Sequence, residues 1–234
     1  MSSPEPRKAP KPDSQFPLQA DTAFRLPSWM TPSRGFLILL FALAALYLLC
    51  DAFRDFWYPD EPDMAEITRQ MLLSRDWLRP KLNGQIFSDY PPLYFWLTAA
   101  VGGPAGLKEF WLRLTTTIAG LGLIMAVWLW ARRALGERPA FWGAAVLGTT
   151  YFFFSQATHM HLDMVFALFI GLSIILYLVH RESTVSRKWL LALASLSMGL
   201  ASLTKGPAGI VLPAGILCID SLLHRKWNEL LSIG

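Results

Sequence analysis

A chain of 234 residues with 53% hydrophobic and only 16% charged side chains, at a mean hydropathy of +0.37, is too apolar for a water-soluble domain of its size. Its net charge of +4 is not gathered into a basic stripe on a soluble domain, which argues against nucleic acid as a partner. Two cysteines, Cys50 and Cys218, both in apolar stretches, exclude a disulfide framework and a zinc-ligand spacing and read as small buried hydrophobes.

The apolar residues come in blocks, and ten Trp and fifteen Phe suit interfacial anchoring, so the expected class is an all-α integral membrane protein. Residues 1–33 hold seven of the sixteen prolines and few apolar side chains, which predicts a disordered cytoplasmic tail. The length of that tail, with no small-residue cleavage site after the apolar run, reads against a signal peptide. A spanning helix needs about 20 largely apolar residues, with roughly 17 as the lower bound. About six spans are predicted: 34–53, 111–132, 139–159, 163–180, 188–204 and 207–223. Residues 224–234 are expected to be a cytoplasmic end.

The run 90–107 is uncharged as well, but Pro91, Pro92, Gly102, Gly103, Pro104 and Gly106 interrupt it. Positive charge arbitrates. Without 90–107 as a span, Arg132, Arg133 and Arg138, then Arg181, Arg187 and Lys188, then Arg225 and Lys226 all fall on the side of the basic tail. The 155–162 connection and Lys205 fall on the other. Residues 90–107 are therefore expected to be re-entrant or to lie in the interface. Asp60, Asp89, His159, His161, Asp163 and Lys205 then share one non-cytoplasmic side.

The first external loop, 54–110, is long, and such loops are often functional. Asp60 and Glu61 stand where the first span ends, and paired carboxylates there are costly against lipid. Glu61-Pro62-Asp63 suits a helix start, with proline and acids in the first turn. Met64, Ile67, Met71 and Leu72 then recur near a 3.6-residue period, which predicts an amphipathic helix lying on the membrane surface or packed on the spans. Asp60 reads as an N-cap, as a catalytic carboxylate, or as both. Asn83-Gly84 predicts a tight turn. The aromatic cluster Tyr94-Phe95-Trp96 reads as an interfacial belt or as the lining of a lipid-tail groove.

Farther along, His159-Met160-His161-Leu162-Asp163 permits ligation of a divalent metal ion, with Asp89 as a further ligand; a polar lining or an interfacial helix end accounts for it too. Lys205 reads as a phosphate partner or as a lysine snorkelling at a helix end. Arg113 and Arg69 are further phosphate candidates.

The run Asp60-Glu61-x-x-x-Ala65-Glu66-Ile67, then Asp76-Trp77, Asn83-Gly84 and Pro91-Pro92-Leu93-Tyr94-Phe95-Trp96, resembles the first external loop of one family. That family is the membrane glycosyltransferases of the aminoarabinose-transferase and protein O-mannosyltransferase type, which have the GT-C fold. Lys205-Gly206-Pro207 with Leu212-Pro213 resembles a later signature, so the match covers about 55–220. The resemblance implies a GT-C-type multi-span helical bundle over 34–223 in a bacterial inner membrane, N-terminus cytoplasmic and active site periplasmic. It implies transfer of a sugar, with inversion, from a polyprenyl-phosphate-linked donor to a lipid acceptor, lipid A-like, or to a protein acceptor.

Asp60 and Asp163 are then the expected catalytic carboxylates. Glu61, Arg69, Asp89, Tyr90, Tyr94 and Lys205 are the expected substrate contacts, and Asp89, His159 and His161 the expected ligands if a metal ion is used. Aminoarabinose transferases have Glu-Lys before Pro-Pro where this chain has Asp89-Tyr90, so the lysine thought to hold the donor phosphate is missing or moved. They have Arg-Tyr where this chain has Asp63-Met64. Family members have eleven or more spans, which points to a fragment, one half of a split protein or a degenerate copy. A transporter of lipid-linked sugars and a non-catalytic partner are the alternatives from other classes.

Overall fold

The computed structural model describes residues 31–56, 60–183 and 188–223; the tail 1–30 and the end 224–234 lie outside the described residues. Nine α-helices follow in order among them: α1 (Pro32–Phe53), α2 (Asp60–Ser74), α3 (Leu93–Gly102), α4 (Glu109–Ala134), α5 (Glu137–Thr149), α6 (Tyr151–Thr158), α7 (Asp163–Glu182), α8 (Lys188–Lys205) and α9 (Ala208–Leu223). Between α2 and α3, β1 (Lys81–Leu82) and β2 (Gln85–Ile86) form a two-stranded antiparallel hairpin, Lys81 opposite Ile86.

Among the described residues three helices, α1, α4 and α7, are long and apolar enough to cross a membrane; α9 is apolar but shorter. α1 starts two residues earlier than expected because Thr31 caps it, accepting from the Arg34 N–H, with Pro32 in the first turn. α4 and α7 follow the helix dipole: Glu109 and Asp163 open them, and Arg132, Arg133, His180 and Arg181 close them. Leu37, Phe41, Leu49 and Phe53 on α1 and Val211 and Ile219 on α9 are exposed, as lipid-facing side chains are.

The segment expected to span at 139–159 is broken into α5 and α6 at Thr150, whose backbone is extended. Gly148-Thr149-Thr150 are poor helix formers. In addition, the Tyr47 hydroxyl donates to the Gly148 carbonyl at 2.6 Å, taking an acceptor that a continuous helix would use. Residues 188–204 and 207–223 correspond to α8 and α9.

The main core lies where α1, α4, α5, α6 and α7 meet. Phe36 stacks on Trp128 at 4.0 Å, and Tyr47 meets Phe154 edge-on. α2 buries Met64, Ile67 and Met71 in this core, so its apolar face packs on the protein's own helices. α3 has ten residues, about 15 Å, too short to span. A 3-10 turn, Gly103–Ala105, and Gly106 at φ +74° then lead the chain into α4, matching a segment that turns back. Asn83 and Gly84 both have positive φ, +52° and +82°, the conformation a two-residue hairpin turn requires.

Candidate active site

α2 begins with acids in its first turn, where the free amide ends of a helix favour negative charge. The turn points two neighbours in opposite senses. Asp60 is exposed and has no hydrogen bond or ion pair among the described residues. Glu61 is fully buried.

Glu61 is the centre of a buried network. Arg113 of α4, also fully buried, grips it with two prongs: Nη2 donates to Oε2 at 2.8 Å and Nε to Oε1 at 3.1 Å. Arg54 Nη2 donates to Oε1 at 3.0 Å, and the Met160 N–H donates to the same oxygen at 2.7 Å. The other Arg113 prong, Nη1, donates to the carbonyls of Arg54 (2.6 Å) and Asp51 (3.1 Å), and the guanidinium lies 5.3 Å from the Phe56 ring centroid. Arg54 Nη2 also reaches the Thr158 carbonyl at 2.6 Å. One carboxylate thus joins the start of α2, the end of α1, the first turns of α4 and the α6–α7 connection. Buried charge persists only when paired in this way.

Beside it, Asp51 of α1 meets the Thr117 hydroxyl of α4 at 2.6 Å, and that hydroxyl lies 3.0 Å from the Ala157 carbonyl of α6. Gly120 makes the approach possible, because an added Cβ would lie 2.8 Å from Ala157 Cβ.

The α6–α7 connection carries the remaining groups. His159 Nδ1 lies 3.7 Å from Glu61 Oε1. Burial holds its imidazole below the usual range, against the upward pull of Glu61 and a smaller one from Asp60. His161 Nδ1 lies 3.2 Å from Asp163 Oδ2, and its ring meets Tyr90 edge-on at 6.1 Å. Asp163, first residue of α7, is ion-paired with Lys205, last residue of α8, whose ammonium lies 5.8 Å from the Phe166 ring centroid.

Lys205 is placed there by its neighbours. Gly206 at φ +74° ends α8, donating its N–H to the Ser202 carbonyl at 2.7 Å, and Pro207 precedes α9, where a missing N–H costs little. A Cβ on Gly209 would overlap the backbone of Ala201 and Ser202, so glycine lets α9 fold back directly on α8. That is the physical content of the Lys-Gly-Pro motif.

The remaining expected residues fall elsewhere. Tyr94 has no exposed surface and sits in the core; burial pushes its hydroxyl well above the ordinary range. Glu61 likewise has no surface to offer a substrate. Arg69 is on the exposed face of α2 and donates to Glu66 at 2.7 and 2.8 Å; with Gln70, it holds the Glu66 carboxyl down at about 2. Asp89 is exposed beside Tyr90. The three-ligand metal set does not assemble: among the described residues no three of His, Cys, Asp and Glu converge. His159 faces Glu61, His161 faces Asp163, and Asp89 joins neither.

Glu61–Arg113 is the pairing that a local reading of the sequence does not reveal. The available signal was Arg113 itself, an arginine inside an apolar span, which requires a buried partner.

The family model of dolichyl-phosphate-mannose-protein mannosyltransferases matches residues 33–234. The chain belongs to this family. Over 201 residues it is 34% identical to an uncharacterized protein of Aquifex aeolicus, covering 86% of this chain and 40% of that one. It is 30% identical over 226 residues to the undecaprenyl phosphate-alpha-4-amino-4-deoxy-L-arabinose arabinosyl transferase 2 of Pseudomonas fluorescens, covering 95% of this chain and 38% of the relative. Crystal structures of ArnT from Cupriavidus metallidurans superpose with TM-scores of 0.78 in the apo state and 0.79 bound to undecaprenyl phosphate, each at 28% identity. They cover 87% and 85% of this chain and 40% and 38% of ArnT. The fold is thus the GT-C-type helical membrane bundle, and the chain spans about two fifths of the length of these relatives.

Proposed function

We propose that this chain is part of a glycosyltransferase that moves a sugar from a polyprenyl-phosphate donor to a lipid acceptor, with the site on the periplasmic face of the inner membrane. The observation that carries the reading is the division of labour at one end of the bundle. Glu61 is consumed by Arg113 and Arg54, while Asp60 beside it is exposed and unpaired among the described residues, and the α6–α7 connection that touches Glu61 through the Met160 N–H leads on to Asp163, paired with Lys205. Kinship with an enzyme named for an undecaprenyl-phosphate donor, and with ArnT bound to undecaprenyl phosphate, supports the donor class.

In this reaction an acceptor oxygen attacks the anomeric carbon, and the bond from that carbon to the phosphate oxygen breaks on the opposite face. Polyprenyl phosphate leaves as an anion. Asp60 takes the acceptor's proton when the acceptor is a hydroxyl. When the acceptor is an already ionised phosphate, Asp60 balances the positive charge developing on the sugar. Lys205 has three N–H donors, of which Asp163 engages one, leaving donors for the phosphate of the leaving group. Asp163 fixes the ammonium, His161 lies against the same carboxylate, and the Tyr90 ring meets His161 edge-on.

The test is transfer by membranes containing the full reading frame, supplied with radiolabelled undecaprenyl-phosphate sugars. Label should move from the prenyl phosphate to an envelope lipid. Donor that stays intact across the common sugars, while the protein is folded, contradicts the reading. Label recovered in protein instead of lipid favours the O-mannosyltransferase alternative.

A further inference from the structure

The opposite end of the bundle carries a second feature. Arg113 and Arg133 lie 20 residues apart on α4, about 30 Å along its axis, which is the thickness of a hydrocarbon core. Near Arg133 a groove of about 320 Å³ opens between α4, α7 and α8. Its walls are apolar, with Ala126 on α4 and Ile175 and Val179 on α7, and its mouth carries Trp130, Arg133 and Trp189. From Ala126 to Arg133 the groove runs about 10 Å inward from the helix ends.

Two cations at this end of the bundle are uncompensated among the described residues. Arg133 and Lys188, the first residue of α8, are exposed and have no hydrogen bond or ion pair among the described residues. Their neighbours are engaged: Arg132 lies 4.8 Å from the Trp128 ring centroid, and Arg181 is paired with Asp220. Glu182, the acid at the end of α7, is exposed and, like Lys188, does not line the groove, so Arg133 is its one charged lining residue. An apolar slot with Arg133 at its mouth, and tryptophans at the level where they favour the interface, is complementary to a chain with an anionic head.

We propose that this groove holds one anionic phospholipid of the leaflet opposite the Glu61 cluster, its acyl chain along Ala126, Ile175 and Val179 and its phosphate at Arg133. The lipid would brace α4 against α7 and α8 at the end where the carboxylate network does not reach.

Native mass spectrometry of the full-length protein, titrated with dioleoyl phosphatidylglycerol or dioleoyl phosphatidylcholine, tests this. The wild type should retain one phosphatidylglycerol with at least about five-fold preference, the contribution of a single cation near a headgroup. Arg133→Gln should erase that preference, and Arg138→Gln, exposed at the same end but outside the groove, should keep it. Ala126→Phe, which fills the slot, should lower retention of both lipids several-fold. A wild-type protein that retains neither lipid, as when the rest of a longer chain covers the groove, overturns the proposal. So does an unchanged preference in Arg133→Gln.

Discussion

Replacing Glu61 by alanine leaves Arg113 buried, charged and without a carboxylate. Arg113 has no exposed surface, and two of its three nitrogens face Glu61 at 2.8 and 3.1 Å. Breaking a buried pair from one side costs about 3–5 kcal/mol. Adding the hydrogen bonds one by one, at roughly 1.5–3 kcal/mol each for charged partners, would give more, but relaxation and water entry return part of it. For a domain of this size 1 kcal/mol moves the melting temperature by about 2–4 °C, so Glu61→Ala should lower it by roughly 6–20 °C. Thermal unfolding of purified protein in detergent, followed by size-exclusion fluorescence, measures this. Asp60→Ala, one residue away but exposed, should move it by less than about 2 °C. The double variant Glu61→Leu with Arg113→Met, which removes both charges, should recover much of the loss because apolar replacement of a buried pair is often close to neutral. A Glu61→Ala protein that melts with the wild type, or a double variant whose loss is the simple sum of its singles, would refute the network as described.

Other consequences are equally direct. Gly209→Ala drives a methyl group into the α8 backbone and should cost about 1–3 kcal/mol, whereas Gly215→Ala, with open space around it, should be neutral or slightly stabilising; paired melting curves compare them. Tyr47→Phe leaves the Gly148 carbonyl at the α5–α6 break without its donor and should cost about 1 kcal/mol, a drop of roughly 2–4 °C. His159 has its folded pKa depressed by burial, so the unfolded chain binds its proton first as pH falls. Stability should be complete above about pH 6.5 and decline below it, and His159→Gln should flatten that part of the melting profile; an identical decline in the variant removes His159 as its source. Lys205→Met should raise the KM for a polyprenyl-phosphate donor at least about tenfold, with Lys205→Arg intermediate; equal KM values in all three would exclude a phosphate contact.

Much of this architecture is written locally. The α2 start is carried by Pro62 and its acids, the hairpin by Asn83-Gly84, and the α8–α9 reversal by Gly206, Pro207 and Gly209. The alternation of arginines and lysines kept 90–107 out of the spans, and the ten-residue α3 agrees with that. What escaped depends on partners far along the chain. Glu61 looks like helix-start chemistry until Arg113, 52 residues later, is brought against it. The break at Thr150 needs Tyr47, 101 residues before Gly148. The His159-Met160-His161 spacing suits a metal ion, but the backbone turns the two imidazoles toward different carboxylates.

The proposed mechanism has Asp60, not Glu61, act on the substrate. It is tested by transfer from an undecaprenyl-phosphate sugar by Asp60→Asn protein, measured alongside its melting temperature. Asp60→Asn should lose roughly a hundredfold or more of the activity, with melting unchanged. Asp60→Asn protein that is folded and transfers sugar at the wild-type rate would contradict it.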